Sequence, residues 1–403
     1  MKYDFTSLYE RKGMDANAVD SIGTGQRGAP DAPKEGFTAL PMWVADMNFA
    51  TVPTIPQFIQ KRLEHPLFGY FEPRKEYYDA IIRWQKERNG VEGLLPEHIG
   101  YQNGVIGGVL AAVNAFAAPG DNVFLHSPTY IGFSHSLKSS GYQLCLSPLV
   151  KDEEGIWRMD FEDMDKKLKE TKCHVAIFCS PHNPAGRVWE KWEIEKANEV
   201  FAKNDCLVIS DEIWSDIILN GHKHIPYQSV NEDARRRCVA LYAPTKTFNL
   251  AGLVGSYSII YDKYLRDRVT AQGNKSHYNS MNMLSMYGLI GAYQDEGYEW
   301  LDELLQVLSD NINYAVDYIN AHFEGVDVAR AEGTYMLFCD CTEWCAKHGK
   351  TIEELKKSCW DVGVALQDGA YFFGPCHLRI NLALPTALVK EAFARLDKYV
   401  FNA

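Results

Sequence analysis

The chain has 403 residues, of which 46% are hydrophobic and 23% are charged, which is typical of a soluble globular protein. It is too long for one compact core of ordinary size, so two lobes are expected. Its 41 Lys and Arg against 53 Asp and Glu give a formal charge of −12, which argues against nucleic acid or an anionic membrane as the main partner.

The ten cysteines are scattered, and none forms a CxxC pair. Cys339, Cys341 and Cys345 are close in sequence but lack zinc-type spacing and histidine companions, so no metal site is predicted. No apolar run reaches spanning length, and the start MKYDFTSLYERKG lacks the apolar core of a secretion signal. We therefore expect a protein of the reducing cytoplasm that is not embedded in a membrane.

The elements change character along the chain. Residues 1–36 are polar and Gly-rich and predict an extended arm. From about 50 to 285, β-branched runs alternate with amphipathic stretches such as 192–204, which predicts an α/β domain built around a mostly parallel sheet. Four of these runs predict buried strands: HVAIFCS (174–180), CLVISDE (206–212), CVALYA (238–243) and VGSYSIIY (254–261).

Beyond about 290, a long helical region leads into short strands and a terminal helix, which indicates a smaller α+β lobe. The predicted strands are TYMLFCD (334–340), VGVALQDG (362–369) and HLRINLA (377–383). The predicted division is 1–49 for the arm and part of the small domain, 50–288 for the large domain and 289–403 for the small C-terminal domain.

Three polar residues follow three successive predicted strands. Asn183 lies in SPHNPAGR, Asp211 in SDEIW and Lys246 in APTK. Each has an ordinary explanation of its own, as a turn residue, a helix N-cap or a solvated lysine. Active residues of open α/β sheets gather at the carboxyl ends of strands. Together, an amide, a buried carboxylate and an amine could therefore surround a flat cationic ring.

A fourth feature precedes these three. In YQNGVIGGVLAAVNAF, the stretch from Gly104 to Gly108 opens an apolar helix whose first N–H groups could hold a phosphate. Taken alone, this signal also fits an ordinary helix start. A phosphate, a pyridine ring and an aldehyde together describe pyridoxal 5′-phosphate.

The motifs NGVIGG, SPTY, SPHNPAGR, SDEIW, APTKTFNLAG and HLRINLA, in that order, resemble those of fold-type-I pyridoxal-phosphate enzymes of the class I/II aminotransferase superfamily. The spacings also fit, with 28 residues from Asn183 to Asp211, 35 to Lys246 and 133 to Arg379. Within the superfamily, PMWVADMNF (41–49) and HPLFGYFEP (65–73) resemble MalY/PatB-type carbon–sulfur lyases, also described as cystathionine β-lyases. The resemblance implies a seven-stranded-type sheet, a smaller α+β domain and a homodimer with shared active sites.

The resemblance also implies roles for single residues. Lys246 would form a Schiff base with the cofactor and then move the Cα proton of the substrate. Asp211 would pair with the pyridinium nitrogen, and Asn183 would bond the 3′-oxygen and help to orient the substrate carboxylate. Tyr130 would stack on the cofactor, and Thr245 would be a further cofactor contact.

Further roles concern the phosphate and the substrate. Arg379 would bind the α-carboxylate of the amino acid in a bidentate grip. The N–H groups of Val105 and Ile106 would contact the phosphate, which Tyr70 would reach from the neighbouring subunit. Trp43 is a candidate substrate contact.

The chain departs from the family pattern in four places. Val254 stands where many aminotransferases have a phosphate-binding arginine, and Ala243 stands where a hydroxyl residue is common. Trp214 replaces a His or Tyr, and DANAVD (15–20) replaces a DSxKWD-like stretch. These differences bear more on the substrate than on the cofactor.

The function expected from the resemblance is β-elimination on L-cystathionine, L-cysteine or a related S-substituted cysteine, giving pyruvate, ammonia and a thiol. An aminotransferase acting on an L-amino acid would use the same Lys, Asp, Asn and Arg, so residue types alone leave that alternative open. A non-catalytic regulatory binding protein is the second alternative, although such a protein would not need all four residues.

Overall fold

The computed structural model describes residues 1–26 and 28–402. It divides into two compact units. The small unit comprises Met1–Ala50, Asn183–Gly186 and Glu303–Ala403, and the large unit comprises Thr51–His182 and Arg187–Asp302. The three-part division predicted from the sequence stays a prediction.

Strands are numbered in chain order: β1 (Leu40–Pro41), β2 (Ile99–Asn103), β3 (Asn122–Ser127), β4 (Gln143–Lys151), β5 (Trp157–Met159), β6 (Val175–Cys179), β7 (Leu207–Asp211), β8 (Cys238–Tyr242), β9 (Gly255–Ile259), β10 (Asp327–Val328), β11 (Met336–Asp340), β12 (Val364–Ala365), β13 (Gln367–Asp368) and β14 (His377–Asn381). Helices are numbered in the same way: α1 (Asn17–Asp20), α2 (Thr54–Leu63), α3 (Lys75–Asn89), α4 (Val105–Phe116), α5 (Ile131–Ser139), α6 (Phe161–Thr171), α7 (Lys191–Lys203), α8 (Glu232–Arg237), α9 (Lys263–Asn274), α10 (Met283–Ala292), α11 (Asp295–His322), α12 (Thr342–His348), α13 (Ile352–Asp361) and α14 (Thr386–Leu396).

The large unit is built on an eight-stranded sheet in the order β2-β9-β8-β7-β6-β3-β4-β5. The five strands from β8 to β4 run parallel, whereas β2, β9 and β5 pair antiparallel with their neighbours. This confirms the predicted mostly parallel α/β sheet. The sheet has one strand more than the seven-stranded type that the resemblance implied. The additional strand is the short β5, which pairs antiparallel with the end of β4.

The central strands are apolar on both faces because helices cover both sides of the sheet. All five residues of β6 and of β8 are buried, as the predicted runs required. Helix α4 packs one side, where Val109 and Val113 join Leu125, Ile177 and Leu241 in one hydrophobic core. The alternation of strand and helix thus gives the scaffold that aligns the ends of β6, β7 and β8.

The small unit contains an antiparallel sheet in the order β10-β11-β14-β13 and a separate parallel pair, β1 and β12. The sequence predicted one strand over 362–369, but the chain forms two short strands with Leu366 between them. The N–H of Leu366 bonds the carbonyl of Val364 (3.0 Å), and this local turn sends β12 to β1 and β13 to β14.

The N-terminal arm is less extended than its composition predicts. It contains the short helix α1, and Phe5 is buried edge-on against Phe49 (5.4 Å between ring centroids). The indole N–H of Trp43 donates to the carbonyl of Ala18 (2.8 Å). In the part of the chain that the structure describes, no helix is long and apolar enough to cross a membrane.

Candidate active site

The C-terminal ends of β6, β7 and β8 meet at one edge of the sheet. Cys179 pairs with Asp211, and Asp211 pairs with Leu241, so the three strands end at the same level. The N–H of Ser180 donates to the carbonyl of Asp211 (3.0 Å), and the N–H of Glu212 donates to that of Leu241 (2.8 Å). Asp211, the last residue of β7, and the turn after β8 that holds Lys246 are therefore neighbours, as expected for the carboxyl ends of parallel strands.

Asp211 is a carboxylate in the interior of the large unit, only 3% exposed. Its Oδ1 accepts the N–H of Ile213 (3.0 Å). Burial raises the pKa of Asp211 to about 7, and the charge of Glu212 adds to that rise, while the Ile213 N–H and the positive charge of Lys246 oppose it. A buried carboxylate in this state gains most from a cationic group brought against it.

Glu212 points into a separate buried network that the sequence did not single out. Its Oε1 accepts the hydroxyl of Ser210 and the N–H of Tyr227 (both 2.9 Å), and its Oε2 lies 2.6 Å from Nε2 of His224. The two adjacent carboxylates thus have different surroundings, and only Asp211 lies at the strand end.

Lys246 is half-buried on a turn whose next two residues, Thr247 and Phe248, are fully buried. The ring of Phe248 packs edge-on against Trp84 (5.7 Å) and stacks on Trp300 (5.5 Å). This packing explains the apolar surroundings of the lysine in the sequence. The ammonium of Lys246 lies 5.7 Å from the ring centroid of Trp214.

The start of α4 forms a cradle of backbone N–H groups, and its role in binding a phosphate stays a prediction. Gly104 has a φ of +83° and precedes Val105 and Ile106, whose N–H groups lie in the first turn, where a helix offers no acceptor. Val254 stands beside it, because a Cβ on Gly104 would lie 3.4 Å from its Cγ1. The side of Gly104 that faces Val254 is thus apolar. The positive potential at this point comes from the N-terminus of α4.

The sequence does not predict a role for Tyr278, whose hydroxyl lies at the same helix start. The hydroxyl is 3.0 Å from the carbonyls of both Asn103 and Gly104, to which it donates. A Cβ on Gly107 would lie 2.3 Å from this hydroxyl, so Gly107 is required for the approach. Tyr278 lies far from α4 along the chain, and no local sequence pattern predicts its contact with the start of that helix.

Tyr130 directly precedes α5 and lies close to the same cradle. A Cβ on Gly132 would come within 2.3 Å of the Tyr130 ring and 3.0 Å of Ile106 Cδ1, so both side chains border this glycine. Thr245 is buried in the lysine turn, where its carbonyl accepts the N–H of Leu250 (2.9 Å). Tyr70, by contrast, is fully exposed on the segment before α3.

Arg379, Asn183 and Trp43 come together in the small unit. The Arg379 guanidinium donates through Nη1 to Oδ1 of Asn183 (3.3 Å) and through Nη2 to the carbonyl of Trp43 (3.0 Å). Gln367, which pairs with Arg379 across β13 and β14, accepts a further bond at 2.5 Å. The guanidinium also lies over the ring of Phe372, 4.3 Å from its centroid. This arginine is therefore buried and held in place from several sides.

The loop after Trp43 is fixed to the same strand. Asn381 donates to the carbonyls of Val44 and Asp46 (both 2.7 Å), and Arg11 pairs with the Asp46 carboxylate (2.6 Å). Trp43 itself is 7% exposed. Its carbonyl positions Arg379, while its role as a substrate contact stays a prediction.

The large unit thus offers groups suited to each part of pyridoxal 5′-phosphate. The cradle at Gly104 suits a phosphate, the buried Asp211 suits a pyridinium nitrogen, and Lys246 suits an aldehyde. Within residues 1–26 and 28–402, no cluster of three or more His, Cys, Asp or Glu side chains could hold a metal ion.

Comparison with known proteins agrees with this geometry. The family model described as aminotransferase class I and II matches residues 44–396. The chain belongs to this family.

Among curated members, the chain is 32% identical to cystathionine beta-lyase PatB of Bacillus subtilis strain 168, over 89% of this chain and 92% of that protein. It is 29% identical to protein MalY of Escherichia coli K12, over 84% of each chain. Among solved structures, cystalysin from Treponema denticola, which contains pyridoxal 5′-phosphate, superposes with a TM-score of 0.90 at 28% identity, covering 99% of each chain.

The pKa of Asp211 gives a test in the cofactor-free protein. A carboxyl whose pKa rises on folding binds its proton more tightly in the folded chain, so its stabilising contribution is greatest at low pH and is lost as pH rises through about 7. In Asp211→Asn the side chain cannot ionise, so the variant does not lose this stability. We expect its free energy of unfolding at pH 8 to exceed that of the parent by roughly 2–4 kcal/mol. The advantage should shrink as the pH is lowered towards 4.

Urea unfolding of both proteins at pH 8 and at pH 5 measures this difference. Equal stability of the two cofactor-free proteins at pH 8 would contradict the raised pKa. Asp267→Asn, on the exposed ion pair with Lys263, serves as the control and should change little at either pH.

Proposed function

We propose that this protein is a pyridoxal 5′-phosphate-dependent carbon–sulfur lyase, which removes a thiol from Cβ of an L-amino acid. The observation that carries the proposal is the half-buried Lys246 beside the buried Asp211 at one edge of the parallel sheet. Membership of the aminotransferase class I and II family and the lyase activity named for PatB support it.

The residues of the large unit would bind and orient the cofactor. The N–H groups of Val105 and Ile106 would hold the phosphate, and Tyr130 would cover a ring face. Asp211 would stand opposite the ring nitrogen, where its negative charge favours the protonated ring. When bound, pyridoxal phosphate accepts the electron pair left at Cα of the amino acid.

Arg379 would bind the substrate carboxylate, and its existing bonds explain why it is suited to this task. Gln367 and the Trp43 carbonyl share Nη2, so the guanidinium plane is fixed before a substrate arrives. Asn183 borders the same guanidinium and would complete the carboxylate site. A preoriented arginine loses little conformational freedom on binding.

Lys246 would then take the proton from Cα. Because the substrate carries sulfur at Cβ, the electron pair at Cα expels the thiolate, and the released 2-aminoacrylate reacts with water to give pyruvate and ammonia. The protein's part is to hold the Cα–H bond towards the Lys246 amine. L-cystathionine, L-cysteine and other S-substituted cysteines carry the required leaving group.

The decisive experiment separates elimination from transamination. The purified protein with pyridoxal phosphate should form pyruvate and a thiol from L-cystathionine with no added keto acid. Lys246→Ala should lower this rate by about a hundred- to ten-thousandfold, because the proton acceptor is lost. Lys263→Ala, at an exposed surface ion pair, is the matched control and should keep full activity. A strict requirement for a keto acid would instead identify an aminotransferase.

We also propose that the active form is a homodimer in which Tyr70 reaches the phosphate of the other subunit. Tyr70 is fully exposed, and Leu67 and Phe68 beside it are 67% and 58% exposed. A cavity of about 950 Å³ opens next to this segment, lined by Phe68, Tyr70 and residues of β2 and α9. Contiguous exposed apolar surface of this kind typically marks a protein interface.

Mixed dimers test this arrangement. Subunits with Lys246→Ala and subunits with Tyr70→Ala should each be inactive alone or nearly so. Refolded together in equal amounts, they should recover about a quarter of the parent activity, because half the dimers are hybrids with one intact site each. A mixture of Lys246→Ala and Asp211→Ala, which alter the same large unit of a subunit, should stay inactive. Recovery no greater in the first mixture than in the second would contradict a shared site.

A cytoplasmic location is the remaining part of the proposal. Nine of the ten cysteines are buried, and none forms a disulfide in the described part of the chain. Reduced, buried thiols are typical of proteins of the reducing compartment.

A further inference from the structure

One short stretch, DEIWSD (211–216), faces the lysine turn with three side chains. Asp211 is close enough for the charge of Lys246 to lower its pKa. Trp214 lies under the ammonium of Lys246, and Asp216 binds Thr247, the residue that follows the lysine. The first two contacts concern the lysine side chain, whereas the third holds its backbone.

Asp216 links three elements through its two oxygens. Its Oδ2 accepts the hydroxyl of Thr247 (2.8 Å), and its Oδ1 accepts the indole N–H of Trp84 from helix α3 (3.0 Å). Trp84 and Thr247 are fully buried, and Asp216 is 6% exposed. The helix, the turn after β7 and the turn after β8 are thus joined at one side chain.

The chemistry of this junction suits a carboxylate. Its two oxygens accept from donors on two different elements, and the Trp84 indole N–H can only donate, so an acceptor has to stand opposite it. Burial raises the pKa of Asp216, while the Thr247 hydroxyl, the charge of Arg88, the Trp84 N–H and His224 act against that rise. A buried acid supported mainly by neutral donors is costly, so its presence calls for a structural or functional reason.

We propose that Asp216 is a positioning residue for Lys246: through Thr247 and Trp84 it fixes the lysine turn, so that the amine is held where it can condense with the aldehyde of pyridoxal phosphate. The inference rests on the cofactor assigned in the proposed function. The condensation joins Nζ to the aldehyde carbon as C=N and releases one water, with no oxidant or reductant required. A turn that moves lowers the fraction of time the amine spends in reach of the aldehyde.

If Asp216 positions Lys246, disturbing it should weaken the covalent attachment of pyridoxal phosphate to the lysine. It should not weaken the non-covalent binding of the phosphate and ring. Pyridoxamine 5′-phosphate has the same phosphate and ring but no aldehyde, so it occupies the site without bonding Lys246. Thr247→Val removes the hydroxyl and keeps the side-chain volume. Because one buried hydrogen bond is lost, the Kd of pyridoxal phosphate should rise about five- to tenfold, while that of the pyridoxamine form stays the same.

The experiment measures both dissociation constants on the full-length protein, from cofactor release during dialysis. Thr247→Ser should restore the parent value for pyridoxal phosphate. Trp84→Phe, which removes the other donor to Asp216 and keeps an aromatic ring, should repeat the effect and replaces Thr247→Val if that variant does not fold. Thr54→Val is the matched control, since Thr54 is also buried and makes one hydrogen bond, to the Gly291 carbonyl (2.7 Å).

The outcomes separate this inference from the function on which it rests. Equal weakening of both cofactor forms, or no weakening of either, in Thr247→Val and Trp84→Phe would overturn the positioning role. Failure of the parent protein to bind either form would overturn the proposed function instead.

Discussion

A buried carboxylate at the end of a parallel strand is the constraint on which the rest of the site depends. Asp211 lies in the interior, and its pKa is raised because water is excluded from it. Such a group is costly in an empty pocket and favourable when a cationic ring stands opposite it. The carboxylate is buried at the strand end despite this free-energy cost, and the neighbouring turn places the amine of Lys246 close to it.

The parallel sheet makes this arrangement possible. Since β6, β7 and β8 are apolar on both faces, their register is fixed by burial, and the residues that follow them lie side by side. The start of α4 adds a cradle of backbone N–H groups. Val254 stands beside it, where many aminotransferases have an arginine, so a phosphate bound here would be attracted by the helix N-terminus rather than by that side chain.

The sequence predicted the parts of the site that follow from strand ends and from recognisable motifs. Asp211 and Lys246 were predicted because they follow apolar strand runs, whereas the prediction for Arg379 rested on the family resemblance. The structure places Asp211 at the end of β7, Lys246 on the turn after β8 and Arg379 on β14. Asp216 and Tyr278 were not predicted, because their partners lie far away along the chain. Gln367 was not predicted, because its bond to Arg379 depends on the pairing of β13 with β14. The break at Leu366 was missed for a similar reason: the two halves of an apparent strand pair with different partners.

The central claim is that the amine of Lys246 carries the cofactor, and the most direct measurement is the site of covalent attachment. Borohydride reduction of the purified protein followed by peptide mass spectrometry should find a phosphopyridoxyl group on the peptide APTKTFNLAGL, at Lys246 and in near-stoichiometric amount. A modification found mainly on another lysine, or a catalytically competent protein that gains no modification, would contradict the account.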